Sequence, residues 1–186
     1  MAAPAGRPAV FFDRDGTLNE DTGYVGEPAR LRLLDGACEA VRMVRAAGLA
    51  CVVVTNQSGV ARGMFDEEAV RAVHARLEAL LAESDAYLDG IYYCPHHPEA
   101  RVEAYRRACP CRKPAPGMLH RAGADLELDL SRSFVVGDKV SDMQAAKAVG
   151  ARGVRVYADA GVDDEATFRA EDIFSAAQWI LSRLEA

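Results

Sequence analysis

A short apolar run, Ala9–Phe12, leads directly into two carboxylates, Asp13 and Asp15, and a glycine, Gly16. The run predicts a buried β-strand, and the two carboxylates share one face because side chains two positions apart in an extended chain point the same way. Gly16 then permits a sharp turn without steric cost. An acidic turn without a function is the alternative. Because open α/β sheets bind ligands at the carboxyl ends of their strands, we expect a functional site here.

Further apolar runs alternate with amphipathic stretches, which predicts a doubly wound, Rossmann-like parallel α/β sheet. After the first strand, we expect strands at residues 49–54, 90–93, 133–136 and 153–156. We expect helices at residues 36–47 with Asp35 as N-cap, from Asp66 to residue 83, at 117–124, from Ser141 as cap to residue 149, and from Ser175 onward. The 186 residues contain no internal repeat or linker, so residues 1–186 are expected to form a single domain.

Composition and charge exclude several classes of protein. Half of the residues are hydrophobic and 27% are charged, which is typical of a globular protein. The net charge of −6 and the lack of a basic run argue against a nucleic-acid partner. Neither a signal peptide nor an apolar segment of the ~20 residues that span a membrane is recognisable. We therefore expect a cytoplasmic protein, whose five cysteines bind metal or remain free.

Polar residues suited to one site follow three of the predicted strands. They are Asp13 and Asp15, Thr55 and Asn56, and Asp138 and Asp142. So many carboxylates in one crevice would repel each other unless they share a cation, and oxygen ligands favour Mg²⁺. Lys113 and the Thr55 hydroxyl offer hydrogen-bond donors to phosphate oxygens. A carboxylate in such a site can also act as a nucleophile and form an aspartyl-phosphate.

These residues resemble the four motifs of the haloacid dehalogenase-like (HAD-like) phosphohydrolases. In that family's order they are Asp13-x-Asp15-Gly16-Thr17-Leu18, Thr55, Lys113, and Gly137-Asp138-x-x-x-Asp142. The resemblance spans residues 10–156. It implies that Asp13 is the nucleophile, that Asp15 is the acid and then the base, and that Thr55 and Lys113 hold the phosphoryl group.

The same resemblance implies how Mg²⁺ is bound. Its ligands would be Asp13, the backbone carbonyl of Asp15, and Asp138, while Asp142 would support Lys113 or the waters of the metal. The segments between the motifs are too short for a large cap domain. We therefore expect a site that is open to water or covered only by loops.

Cys94-x-His96 and Cys109-x-Cys111 supply three cysteines and one histidine, the ligand set of a closed structural zinc site. His97 is a possible alternative ligand, and a scatter of buried cysteines is the alternative interpretation. A zinc site here would hold Lys113 against the carboxylates, because Lys113 follows the last cysteine closely.

The other two cysteines and His74 are not expected to bind metal. Cys38 and Cys51 lie in apolar runs and are expected in the core. His74 is expected on the surface of its helix.

The zinc loop is similar to that of one zinc-containing branch of the family, the heptose bisphosphate phosphatases, whose relatives are the histidinol-phosphatases. The similarity lies in residues 94–99 (CPHHPE), 109–114 (CPCRKP) and 137–146 (GDKVSDMQAA). It implies a soluble sugar bisphosphate as substrate, with heptose 1-phosphate as a product for nucleotide-activated heptose. The substrate contacts that it implies are Asp21, Thr22, Gly23, Tyr24, Thr55, Asn56, Gln57, Ser58, Arg112, Lys113 and Lys139.

Two cations near the predicted site favour a bisphosphate. Thr55 and Lys113 suffice for the transferred phosphoryl group, which leaves Arg112 and Lys139 for a second phosphate, and a guanidinium matches phosphate oxygens as a two-pronged donor. The alternatives are histidinol phosphate as substrate, a DNA-end phosphatase, and a non-catalytic zinc module. We expect a monomer without a membrane partner.

Overall fold

A parallel sheet of six strands lies at the centre of the structure, a computed structural model that describes residues 6–157 and 165–184. The strand order is β3-β2-β1-β4-β5-β6. The strands are β1 (Ala9–Phe12), β2 (Ala50–Asn56), β3 (Gly90–Cys94), β4 (Phe134–Gly137), β5 (Arg152–Val156) and β6 (Phe168–Ala170). The helices are α1 (Ala37–Ala46), α2 (Glu67–Ala82), α3 (Gly117–Asp125), α4 (Val140–Ala148) and α5 (Ile173–Ser182). The predicted doubly wound parallel α/β fold is confirmed.

The central strand β1 is buried on both faces. Val10 and Phe12 pack into a core formed with α1, α2 and α5. Ala9 and Phe11 point to the opposite face, where α3 and α4 cover the sheet. This burial on both faces explains why β1 is an unbroken apolar run. Because β1 lies between β2 and β4, the chain leaves it at the middle of the carboxyl edge.

The register of the central strands brings the polar residues to one edge. Phe12 pairs with Val53 of β2 and with Val136 of β4. The N–H of Asp13 continues this pairing by donating to the Val136 carbonyl at 2.8 Å. Thr55 and Asp138 come two positions after the partners of Phe12, so they emerge beside Asp13.

Strands β2 and β6 differ most from the sequence prediction, whereas the bounds of β3, β4 and β5 differ from it by one residue. Strand β2 continues through Thr55 and Asn56, which pair with Tyr93 and Cys94 of β3. The sequence prediction ended this strand early because both residues are polar, whereas neighbouring strands supply their backbone hydrogen bonds. Strand β6 was not predicted. It has three residues and pairs only with β5 among the described strands.

Both predicted helix N-caps, Asp35 and Ser141, are wrong, and one of the two predicted helix starts, Ser175, is misplaced. Asp66 opens helix α2 as expected, and its side chain caps the helix by accepting a hydrogen bond from the Ala69 N–H at 2.9 Å. Helix α1 instead begins after Gly36, whose φ is 80°, and no side chain caps it, so Asp35 has no such role. Helix α5 begins two residues before Ser175 and is capped by Asp172.

The prediction that Ser141 caps α4 is also wrong. The N-cap is Lys139, and Ser141 lies within the first turn. The Asp142 carboxylate accepts a hydrogen bond from the Lys139 N–H at 3.1 Å. The helix start is therefore set by a buried carboxylate of the site, which a local serine preference does not reveal.

The connections around the carboxyl edge are loops with short helical turns. The chain from β1 to α1 contains one three-residue 3-10 helix, Pro28–Arg30, and the chain from β3 to α3 contains another, Glu103–Tyr105. Within the described residues, no cap domain covers the edge. No described helix has the length and apolar character required to cross a membrane.

His74 is buried, so its predicted surface position is wrong. It is 7% exposed and lies on the apolar stripe of α2, four residues after Val70 and next to Val73. Its ring meets that of Tyr93 edge-on, with centroids 5.5 Å apart. Burial, with a contribution from Arg14, lowers the pKa of His74 to about 3.

This burial predicts a pH-dependent stability. The folded pKa lies below the ordinary value of 6.5, so the unfolded chain takes up a proton first as the pH falls, and stability is lost below about pH 6.5. His74→Phe should therefore gain stability relative to wild type between pH 7 and pH 5, by up to about 2 kcal/mol. Urea denaturation at both pH values measures this change. His120→Phe, on the exposed side of α3, is the matched control, and an equal pH dependence in the two variants would contradict the prediction.

Candidate active site

A buried lysine joins the carboxylates at the carboxyl edge. The Lys113 ammonium lies 2.8 Å from Asp13 Oδ1 and 2.6 Å from Asp142 Oδ1, and it donates to the Val54 carbonyl at 2.7 Å. Burial alone would raise the pKa of Asp13, but Lys113 and Lys139 hold it below its ordinary value. Asp13 is therefore an anion at neutral pH, as a nucleophile must be.

The backbone of Lys113 is fixed by Asn56, the last residue of β2. The Asn56 carbonyl oxygen accepts from the Lys113 N–H, and the Asn56 amide donates to the Lys113 carbonyl, each at 3.0 Å. This reciprocal pair attaches a loop residue to the end of a central strand. Lys113 can thus reach the nucleophile although it lies in a connection without regular structure.

Three carboxylates meet here, and two lysines, Lys113 and Lys139, form ion pairs with them. Single oxygen atoms of Asp13, Asp138 and Asp142 all lie within 4.8 Å of one another. Burial raises the pKa of Asp138 to about 6, against the pull of Lys139, and its Oδ1 is buried without a hydrogen-bond partner. Burial also raises the pKa of Asp142. Such a set of oxygen donors fits a hard divalent cation such as Mg²⁺.

Two glycines allow the carboxylates to approach the backbone closely. A Cβ at Gly16 would lie 2.5 Å from Asp138 Oδ2, and a Cβ at Gly137 would lie 2.2 Å from Asp142 Oδ2. Gly16 also has a φ of +83°, which other residues adopt at a cost. The cluster of carboxylates therefore depends on the absence of side chains at these two positions.

The Asp15 side chain is held by three neighbours. Arg14, which is fully buried, binds both carboxylate oxygens at 2.9–3.1 Å. Asn19 donates to Oδ1 and Gln57 donates to Oδ2, each at 2.9 Å. Gln57 Nε2 also donates to the Thr55 hydroxyl at 2.9 Å, so the proton of that hydroxyl remains available for another acceptor.

Arg14 and Asn19 were not singled out from the sequence. Both lie in the turn that carries Asp13 and Asp15, and this proximity to two carboxylates was the available signal. A charged residue between two acidic residues usually points to solvent, and burial of Arg14 follows only from the packing of the turn.

A cavity of about 490 Å³ lies next to the carboxylates. Nine of the eleven residues implied as substrate contacts line it, together with Asp15 and Ser141: Asp21, Gly23, Tyr24, Asn56, Gln57, Ser58, Arg112, Lys113 and Lys139. Thr22 does not line it. Thr55 lines a smaller niche of about 40 Å³, which also contacts Asp13 and Lys113. The site thus combines a small niche at the nucleophile with a larger polar cavity.

Three of the four predicted zinc ligands converge in the loop before Lys113, and the fourth, Cys111, lies outside this cluster but lines the same cavity as the other three. Ligand atoms of Cys94, His96 and Cys109 lie within 4.8 Å of one another. His96 Nδ1 faces Cys94 Sγ at 3.7 Å. This donor set fits zinc. His96 Nε2 contacts Arg107 at 2.6 Å, and Arg107 must move if Nδ1 binds a metal, because Nε2 then carries a proton.

Glu67, at the start of α2, ties this loop to the sheet. It accepts hydrogen bonds from the hydroxyls of Tyr93 on β3 and Tyr105 in the loop, at 2.5 and 2.9 Å. The Tyr105 ring lies 5.8 Å from that of His96. His97 is not part of the clustered ligand atoms. Its Nδ1 instead accepts from the Glu99 N–H.

Comparison with known proteins agrees with this fold and site. The HAD-hydrolase-like family matches residues 110–182 of the chain. The D-glycero-beta-D-manno-heptose-1,7-bisphosphate 7-phosphatase of Escherichia coli (strain K12) is 48% identical over 177 residues, which cover 95% of this chain and 90% of the relative. The enzyme of the same name from Salmonella typhi is 47% identical and covers 95% and 91%.

The chain is also similar to a solved structure. The D,D-heptose 1,7-bisphosphate phosphatase from B. bronchiseptica, complexed with magnesium and phosphate, superposes with a TM-score of 0.83 at 32% identity, covering 95% of this chain and 99% of that one.

The parallel sheet, with its lysine and carboxylates at the carboxyl edge, defines a HAD-like hydrolase. More narrowly, the chain belongs to the D-glycero-D-manno-heptose 1,7-bisphosphate 7-phosphatase family.

The close contact at Gly16 predicts a loss of metal affinity on substitution. Gly16→Ala must displace the Asp138 carboxylate, so we expect Mg²⁺ to bind at least about tenfold more weakly, a difference of roughly 1.4 kcal/mol. Gly48→Ala is the matched control, because its φ is +84° and nothing lies within 4 Å of its added Cβ. Both variants should lose about 1–2 kcal/mol of stability to backbone strain. Calorimetric Mg²⁺ titration separates them, and equal affinities would refute the role of this contact.

Proposed function

We propose that the protein is a phosphatase that removes the C7 phosphate of D-glycero-D-manno-heptose 1,7-bisphosphate. The observation that carries this proposal is the pairing of a niche at Asp13 with a larger cavity lined by Arg112, a cation that forms no salt bridge with a described residue. The names of the relatives support the substrate. The products would be inorganic phosphate and heptose 1-phosphate, the precursor expected for nucleotide-activated heptose.

Asp13 would attack the C7 phosphorus and form an aspartyl-phosphate, as the bond from phosphorus to the sugar oxygen breaks. Lys113, 2.8 Å from Asp13 Oδ1, would balance charge on the transferred phosphoryl group, and the Thr55 hydroxyl would donate to its oxygens. Asp15 would protonate the leaving sugar oxygen and then remove a proton from the water that hydrolyses the aspartyl-phosphate.

Mg²⁺ would be held by Asp13, the backbone carbonyl of Asp15, and Asp138. When bound, the ion supplies positive charge that offsets the charge of the phosphoryl oxygens. Asp142 contacts Lys113 at 2.6 Å, which supports its role in holding the lysine. The magnesium in the B. bronchiseptica structure supports the choice of metal.

Arg112 is suited to the second, non-reacting phosphate. It lines the larger cavity, donates to the His96 carbonyl at 3.4 Å, and makes no salt bridge with a described residue. Partial burial lowers its pKa, so an anion would relieve the cost of its charge. Lys139 reaches the same cavity and is 3.4 Å from Asp21. Binding of the C1 phosphate at these cations would orient the C7 ester for attack.

A substrate comparison tests the proposal. With Mg²⁺, phosphate release from heptose 1,7-bisphosphate should exceed that from histidinol phosphate in kcat/KM, and a 3′-phosphorylated DNA end should not react. Arg112→Ala should lower kcat/KM for the bisphosphate at least about tenfold more than for phenyl phosphate, because only the former has a second phosphate. Arg121→Ala, on the exposed face of α3, is the control.

Two results would count against the proposal, one from that substrate comparison and one from the rate of an Asp13→Asn variant. A higher kcat/KM for histidinol phosphate than for the heptose bisphosphate would show that histidinol phosphate is the preferred substrate. Folded Asp13→Asn retaining more than about a hundredth of the wild-type rate would remove Asp13 from the role of covalent nucleophile.

Zinc bound by Cys94, His96, Cys109 and Cys111 is part of the proposal. These residues share a loop with Lys113, so a closed metal site would stiffen the segment that delivers the lysine. A cytoplasmic location and a monomeric state also belong to the proposal.

Metal analysis tests the zinc site. Protein purified without chelators should contain about one Zn²⁺ per chain, and Cys109→Ser should lose the metal and unfold at a lower temperature. Cys38→Ser, outside the loop, is the matched control and should keep its zinc. Absence of zinc from the wild-type protein, or normal zinc in Cys109→Ser, would disprove the site.

A further inference from the structure

The side-chain amide of Gln57 forms hydrogen bonds with other side chains of the site. It is 4% exposed and follows the end of β2, where its own N–H donates to the Cys94 carbonyl at 2.8 Å. Its Nε2 donates one hydrogen to Asp15 Oδ2 and the other to the Thr55 hydroxyl, each at 2.9 Å. Its Oε1 accepts from Arg14 at 3.1 Å.

These contacts leave Gln57 with no donor for a substrate. A primary amide has two N–H hydrogens, and both are used. The family resemblance places Gln57 among the substrate contacts, and it does line the larger cavity. Its hydrogen bonds, however, connect the side chain proposed as the proton donor with the hydroxyl proposed to hold the phosphoryl group.

Gln57 is the neighbour of Asp15 that comes from a different strand end. Arg14 and Asn19 belong to the same turn as Asp15, so they move with it. Gln57 is anchored to β2 and β3 through its backbone, and it therefore sets the orientation of the Asp15 carboxylate relative to the sheet. An acid must lie within hydrogen-bond reach of the leaving oxygen, and a small rotation of its carboxylate removes that reach.

We propose that Gln57 is a positioning residue that orients the Asp15 carboxylate for proton transfer to the leaving group, and that it does not bind the sugar. This inference rests on the proposed phosphatase function. It predicts a defect that depends on the leaving group, because a good leaving group departs without protonation.

The test measures kcat/KM of wild type and Gln57→Met on three esters. Heptose 1,7-bisphosphate and phenyl phosphate have poor leaving groups, and 2,4-dinitrophenyl phosphate has a good one. The expected loss is about tenfold or more on both poor leaving groups and at most about threefold on the dinitrophenyl ester. Asp15→Asn should show the same dependence. Gln178→Met, on the exposed side of α5, is the matched control and should equal wild type.

A double-mutant cycle adds an independent measurement. In the Asp15→Asn background, Gln57→Met should cost at most about threefold on phenyl phosphate, because the group that it positions is already gone. If Gln57→Met does not fold, Gln57→Glu replaces it. That variant keeps the length and the acceptor for Arg14 but loses the donor to Asp15.

Three results would overturn the inference. A loss confined to the bisphosphate would make Gln57 a substrate ligand, and an equal loss on all three esters would make it merely structural. If the losses in kcat/KM of the two single variants add up in the double variant, Gln57 does not act through Asp15. Wild-type protein that hydrolyses none of the esters would instead refute the phosphatase function itself.

Discussion

The buried contact of Lys113 with Asp13 and Asp142 is the interaction on which the rest of the site depends. Burying charged groups is costly unless they are paired, and one ammonium here serves two carboxylates and a backbone carbonyl. Asp13 directly follows strand β1 and Asp142 lies in the first turn of α4, whereas the lysine comes from a long loop. The loop must therefore be held firmly, and Asn56, Glu67 and the cysteine cluster all contribute to that.

The residues at the strand ends could be predicted because they follow apolar runs directly. Asp13 and Asp138 come immediately after β1 and β4, and parallel neighbours bring such residues to one edge. Lys113 has no such local signal. Its place was predicted from the order of the family motifs and from its closeness to the predicted zinc ligands, because no periodicity indicates where an irregular loop of about twenty residues folds back.

Errors arose where tertiary contacts override local preference. Ser141 has the chemistry of an N-cap, but Asp142 must reach both Lys113 and the start of α4, and this requirement shifts the cap to Lys139. His74 has a polar side chain, yet it falls on the buried stripe of α2. The hydrogen bonds of Gln57 could not be predicted either, because they depend on the positions of Asp15 and Thr55, which only the folded chain brings together.

The two hydrogen bonds between Asn56 and Lys113 imitate the pairing of neighbouring strands, with a side-chain amide in place of a peptide group. The loop thereby shares the rigidity of the sheet at a single residue. The position of the ammonium is then set by this pair of hydrogen bonds, by the Tyr105–Glu67 contact and by the cysteine cluster, so the loop before Tyr105 does not need a strict length. Insertions or deletions between residues 98 and 104 would then accumulate during evolution and reshape the surface around the cavity while the reacting groups stay in place.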